Sequence, residues 1–266
     1  MSLRNAFRAF PALLRVGLAE AIAYRAEMLV WVLATTMPLV MLALWTSVAR
    51  TAPVGRYGEA EFVTYFLCTF IVRQVTGSWI FWQMNVEVRD GTLAMRLLRP
   101  IHPLWAYTAE GLASAPMRAL VPVPAAAVAL AATGGGLTRD PARWALWGVA
   151  VLGAWLLTLL FNFLIGCASF FLESSTKLMD AWLVFYFVLS GYIVPVDLFP
   201  RSLGRAVDWL PFRYQLALPV ELMTGARGLR EGAALVLGQW AWIVVAGALT
   251  ALLWRRGVRR FEAFGG

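Results

Sequence analysis

Charge is scarce in this 266-residue chain: 14% of its residues are Asp, Glu, Lys or Arg, and 61% are hydrophobic. Soluble domains average about 25% charged and about 45–50% apolar. A water-soluble globule lacks the interior to hide that excess, so the composition excludes one. The single lysine, Lys177, follows Thr176 with no glycine-rich loop before it. A P-loop is thereby excluded, because its phosphate cradle needs Gly-rich backbone and a Lys. The single histidine, His102, lies in the basic loop Arg99-Pro100-Ile101-His102-Pro103. Zinc sites with several His ligands and H-E-x-x-H chemistry are excluded with it, and His102 reads as a loop or surface residue. Cys68 and Cys167 sit in separate apolar runs with no paired spacing, so they read as small buried hydrophobes. A membrane-embedded enzyme would need paired acids, a nucleophile beside a base, or a metal cluster. None is visible, and neither a catalytic residue nor a cofactor is expected on this chain.

What is present is apolar helix. The net charge of +8 fits the excess of basic residues on cytoplasmic loops and contact with anionic head groups. No basic run interleaved with aromatics offers a surface for nucleic acid. A span needs about 20 residues, so the length suits one all-α integral membrane domain, 1–266, with six transmembrane helices and short loops. No secretory leader is read at the start, and the first span is expected to act as its own insertion signal. Before it, over residues 1–25, Leu3, Phe7, Phe10, Leu14, Leu18 and Ile22 recur at helical spacing. They predict an amphipathic helix lying in the interface, bent at Pro11.

The spans are expected over Met28–Val48, Phe62–Trp82, Gly111–Thr133, Ala145–Leu172, Leu178–Val194 and Ala233–Trp254. Pro116, Pro122 and Pro124 should kink the third. Between Pro195 and Glu231 apolar and charged residues mix and prolines divide them. That stretch predicts short helices, re-entrant where protein shields them. Six spans put both termini on one side, and the basic residues favour the cytoplasm. Arg73 falls mid-span, at about 2.5–3.5 kcal/mol on the insertion scale; Arg118 falls near the predicted inner end of its own span. Both are candidates for a pathway or subunit interface facing an anionic substrate or head group. The alternative for each is pairing within the bundle or snorkelling.

The segment 85–106 holds the densest mixture of charge and apolar side chains. Leu93 and Leu97 stand among Glu87, Arg89, Asp90 and Arg96, which suits a short helix docking into a groove on another protein or an interfacial loop held by lipid. Three stretches carry a resemblance: G-T-L-x-x-x-L-L-R-P-I-H-P-L from Gly91, G-Y-I-V-P-V-D-L-F-P over Gly191 to Pro200, and the ending Arg260-Phe261-Glu262-Ala263-Phe264-Gly265. In their order relative to the spans, they resemble bacterial ABC-2-type permeases, a small six-span group once of unknown function. The resemblance implies that Glu87, Arg89, Asp90, Leu93, Arg96 and Leu97 belong to a coupling helix seated in a separate ATPase subunit. It implies outer gate helices over 196–231, marked by Pro195, Asp197, Leu198 and Phe199. It further implies two ATP-binding cassette subunits that hold ATP and Mg, a second permease subunit, identical or related, and a place in the bacterial cytoplasmic (inner) membrane as an exporter. The rival reading is an ion-coupled secondary transporter, which needs a mid-span acid that can change charge; no Asp or Glu falls mid-span.

Overall fold

The computed structural model describes residues 3–24, 30, 33, 35–172 and 175–261. Among them the chain is all-helical. Helix α1 (Leu3–Ala23) is followed by α2 (Met37–Ala49), α3 (Glu59–Thr76), α4 (Ile80–Arg89) and the one-turn α5 (Leu93–Leu97). Next come α6 (Pro103–Ala119), α7 (Pro122–Ala132), α8 (Pro141–Cys167) and α9 (Thr176–Leu189). The chain closes with α10 (Arg201–Val207), α11 (Pro211–Gln215), α12 (Ala217–Thr224) and α13 (Leu229–Val258).

Local chemistry sets these boundaries. Prolines at the first turn, whose missing N–H costs nothing there, open α6, α7 and α8. Asp140 caps α8 by accepting the Ala142 N–H at 2.9 Å, and Nδ1 of His102 caps α6 by accepting the Leu104 N–H at 3.2 Å. The Gly58 N–H donates to Glu61 at the start of α3 (2.9 Å). At Gly91 the chain takes φ +73° between α4 and α5, a left-handed conformation that favours glycine.

Among the described residues, two helices are long and apolar enough to cross a membrane: α8 with its 3-10 extension, Pro141–Phe170, and α13. The pair α6 and α7 makes a third crossing if counted as one span, bent by 44°. That bend sits where Pro122 and Pro124 were expected to kink the third span. The expected second span is divided between α3 and α4, because the backbone turns extended at Gly77. In place of the first and fifth spans stand α2, of 13 residues, and α9, of 14. Much of the first span before α2 lies outside the described residues.

Helix α8 is the axis of the bundle, in contact with α13, α4, α11 and α12. At the end holding α12, Phe62, Tyr65, Phe66, Tyr186 and Phe212 form one apolar core. At the end holding α5, a second core gathers Met84, Leu93, Tyr107, Phe163 and Trp254. Helix α1 lies along α6. Its buried line includes Gly17 and Ala21, whereas Leu18 and Ile22 of the predicted apolar stripe are exposed. The reason is steric: a Cβ on Gly17 would stand 3.0 Å from the Ala113 Cβ, so a small residue lets the two backbones approach.

Candidate functional site

Three groups of arginines organise the charged interior. The first lies at the α5 end. Arg96 donates through Nε to both Glu87 oxygens (2.9 and 2.8 Å) and through Nη1 to Glu110 (2.8 Å). Its guanidinium lies 4.4 Å from the Tyr107 ring centre, the Tyr107 hydroxyl donates to Glu87, and Gln83 donates to Glu110 at 2.8 Å. Burial alone would lower the Arg96 pKa; the hydrogen bonds it donates to Glu110 and Glu87 outweigh burial and hold the guanidinium above its ordinary value. The cluster fastens α5 to α4 and α6. Leu93 is fully buried in the second core, and Leu97 packs against it. The apolar side chains that α5 and its end present outward are Met95, 65% exposed, and Leu98, 79% exposed. Leu93 therefore cannot serve as the exposed docking residue expected from the sequence. Arg89 and Asp90 lie exposed at the end of α4.

The second group sits where α3 breaks from α4. Arg73 lies near the midpoint of Glu59–Arg89, and Arg118 lies in the last turn before the bend between α6 and α7. Arg118 is only 4% exposed, in the middle of the bent pair and not at the end of a span as expected. The Nη1 atoms of Arg73 and Arg118 stand 3.5 and 3.7 Å from where a Cβ on Gly77 would lie, so the two are within about 7 Å of each other. Arg73 also lies 5.6 Å from the Tyr186 ring centre. Neither makes an ion pair among the described residues, and Nε of Arg73, Nε and Nη2 of Arg118 and Oγ of Ser78 are buried without a hydrogen-bond partner. At an effective dielectric near 20, two cations at that separation repel by about 2 kcal/mol.

The third group closes the opposite end. Asp197, at the 3-10 turn Val196–Leu198, accepts from Arg56, from Arg227 Nη2 at 2.8 Å and from the Tyr57 hydroxyl at 3.2 Å. Arg227 continues to Glu221 (3.3 Å), which pairs with Arg213 at 2.7 Å; Arg213 also pairs with Asp208. Arg213 and Glu221 are 1% and 2% exposed. Pro195 precedes the turn, Leu198 packs on the first core, and Phe199 packs on Val196, Val207 and Ala217. The strand of backbone before it is pinned by Tyr65, whose hydroxyl donates to the Gly191 carbonyl at 2.7 Å, and by Trp45, whose indole donates to that of Ile193 at 2.9 Å.

A family model described as ABC-2 family transporter protein matches residues 29–265. The chain belongs to the ABC-2 transporter family. No curated protein matches it. ABC-2 membership makes the chain a membrane transport component, a kind of subunit generally not itself catalytic, and implies association with ATP-binding cassette partners. Of the residues singled out from the ABC-2 resemblance, Glu87 and Arg96 meet in one network and Asp197 anchors another. Glu110, Tyr107, Arg213, Arg227 and Glu221 were missed. Glu110 and Glu221 are single acids in apolar sequence, and such an isolated charge is itself the signal for a buried partner.

Proposed function

We propose that this chain is the permease subunit of an ATP-driven exporter in the bacterial cytoplasmic membrane. In this reading it crosses the membrane six times with both termini cytoplasmic. The two halves Glu59–Arg89 and Pro103–Ala132 each count as one broken span, and α2 and α9 as two short ones. A second permease subunit, identical or related, completes the passage, and two ATP-binding cassette subunits hold ATP and Mg. The α5 end faces the cytoplasm. The Asp197–Arg227–Glu221–Arg213 network is the outer gate, and Arg73 and Arg118 line the passage between.

The observation that carries this reading is the build of α5. A helix of five residues cannot stand alone in water, yet this one is held by a saturated guanidinium at Arg96 and by Leu93 in the core. What remains outward is a pair of apolar side chains, Met95 and Leu98, beside the exposed Arg89 and Asp90. A rigidly mounted knob of that kind suits a groove on a partner, and movement of the partner reaches α4 and α6 through Glu87 and Glu110.

The test is co-purification with the ATPase subunit. Replacing both Met95 and Leu98 by Asp is expected to weaken association at least tenfold while leaving the thermal stability of the isolated chain unchanged. Leu93→Asp should instead lower stability. Undiminished ATPase association in the Met95→Asp, Leu98→Asp variant would refute the docking surface.

A further inference from the structure

At the break between α3 and α4, several buried donor atoms lack acceptors, although Arg73 also donates to the Tyr192 hydroxyl. Arg118 is more than nine-tenths buried, and its Nε and Nη2 have no partner; the same holds for Nε of Arg73 and Oγ of Ser78. Trp79, one residue on, borders three cavities. The first, about 340 Å³, is walled by α1, α4 and α6 and reaches Arg118. The second, about 60 Å³, lies on the α8 and α9 side and holds Arg73, Ser78, Asn162 and Gln215. A third, about 10 Å³ and no larger than a water site, joins Arg73 to Arg118 past Gln74 and Gly77. The first is at the lower end of the size of ligand pockets, about 300–1,000 Å³.

We infer that Arg73 and Arg118 together bind one oxyanion, a phosphate or carboxylate group, at this break. A guanidinium presents a planar fork of N–H groups that matches such a group. Two like charges held this close are stabilised by an anion beside them at the Arg118 end of the larger cavity, and that anion supplies acceptors to the buried N–H groups of Arg118. The ten-residue helix α4 starts at Ile80, and the positive end of its dipole adds to the same field. Among the described residues, neither arginine is paired with an acidic side chain. Glu110, on the wall of the larger cavity, is occupied by Arg96 and Gln83, and Glu20 stands on its α1 side. Broken helices meeting a ligand within the bilayer are a recurrent transporter device. The oxyanion arrives either as a lipid head group through the cavity beside α1 or as a free ion from water.

This deepens the pathway reading of Arg73 and Arg118 and rests on it for what becomes of the ligand. Binding itself is measured on the isolated full-length chain, without ATPase or transport, so either claim can fail alone. The detergent-solubilised chain is titrated with short-chain phosphatidylglycerol, phosphatidylcholine or inorganic phosphate while its thermal unfolding is followed, since a ligand of the folded state raises Tm. Phosphatidylglycerol is expected to raise Tm well above the effect of phosphatidylcholine. Arg118→Gln and Arg73→Gln should each raise its apparent Kd at least tenfold, Arg118→Lys less, and the surface variant Arg201→Gln not at all. A Tm rise with phosphate that the same variants weaken supports the site and names a free ion as sufficient; phosphatidylglycerol alone names the lipid. Failure of both probes to raise Tm, or a rise equal in wild type, Arg73→Gln and Arg118→Gln, overturns the inference. Should Arg118→Gln fail to fold, Arg118→Lys and Arg73→Gln carry the same comparison.

Discussion

Arg96 and Arg118 are both largely enclosed, but their surroundings differ in kind. Arg96 meets two carboxylates and an aromatic face. Arg118 meets another arginine, and two of its nitrogens are buried without partners. A cation surrounded by acceptors acts as a fastener: it ties α5 to α4 and α6, and removing it strands two acids. A cation left among donors contributes nothing to holding helices together and is kept in place by the packing around it. The contrast separates structural charge from charge reserved for something outside the chain.

The largest effect should come from the most complete fastener. Arg213 and Glu221 are both enclosed, and breaking a buried pair by removing one partner costs about 3–5 kcal/mol. Arg213→Met is expected to lose stability of that order in denaturant unfolding. Replacing Glu221 by Leu in the same chain should restore part of it: the buried acid is gone, Arg227 keeps Asp197 and Glu231, and Asp208, the other partner of Arg213, is half exposed. If the double variant is no better than Arg213→Met, the loss comes from misfit packing and not from the charge.

Arg96 and Arg118 then give the direct comparison. Arg96→Gln should destabilise by about 2–3 kcal/mol, between the values for buried and exposed pairs. Arg118→Gln should stay within about 1 kcal/mol of wild type or gain stability, because it removes a repulsion of about 2 kcal/mol and strands no acid. Equal losses in the two variants, read by the same unfolding assay in neutral detergent, would erase the distinction drawn between the two sites.

The sequence made each arginine visible but not its company. Arg73 and Arg118 stand out as single charges in apolar runs, whereas their meeting depends on two breaks at the same depth in adjacent helices. One of those breaks was legible, since Pro122 and Pro124 remove backbone donors. The other turns on Gly77, and a lone glycine in a helical pattern is a weak signal. The long helices α8 and α13 were legible from sheer apolar length. Leu93 was assigned outward because a five-residue helix is too short for periodicity to tell its core face from its free face. The seat of α1 on α6 was hidden for a related reason: Gly17 and Ala21 carry little hydrophobic weight, yet small size is what lets α1 lie against α6.

The smallest effect belongs to the joint between α5 and α6. His102 caps α6 with Nδ1 as acceptor and lies with its ring centre 5.0 Å from that of Trp254. Burial lowers its pKa from 6.5. A protonated imidazole carries hydrogens on both nitrogens and cannot accept, so the charged form loses the cap. Because the folded-state pKa lies below that of the unfolded chain, the stabilisation is complete above pH 6.5. It falls as the pH drops below that value, where the unfolded chain takes up the proton first, and levels off beneath the folded-state pKa. His102→Asn keeps a capping acceptor that does not titrate. Wild type should therefore lose about 0.5–1 kcal/mol relative to the Asn variant, the scale of one cap, between pH 7.5 and mildly acidic pH. Using the difference cancels the titration of every group the two chains share. A difference that does not change with pH would mean that Nδ1 does not bear the cap, and that the start of α6 is held by Pro103 and the Arg96 cluster alone.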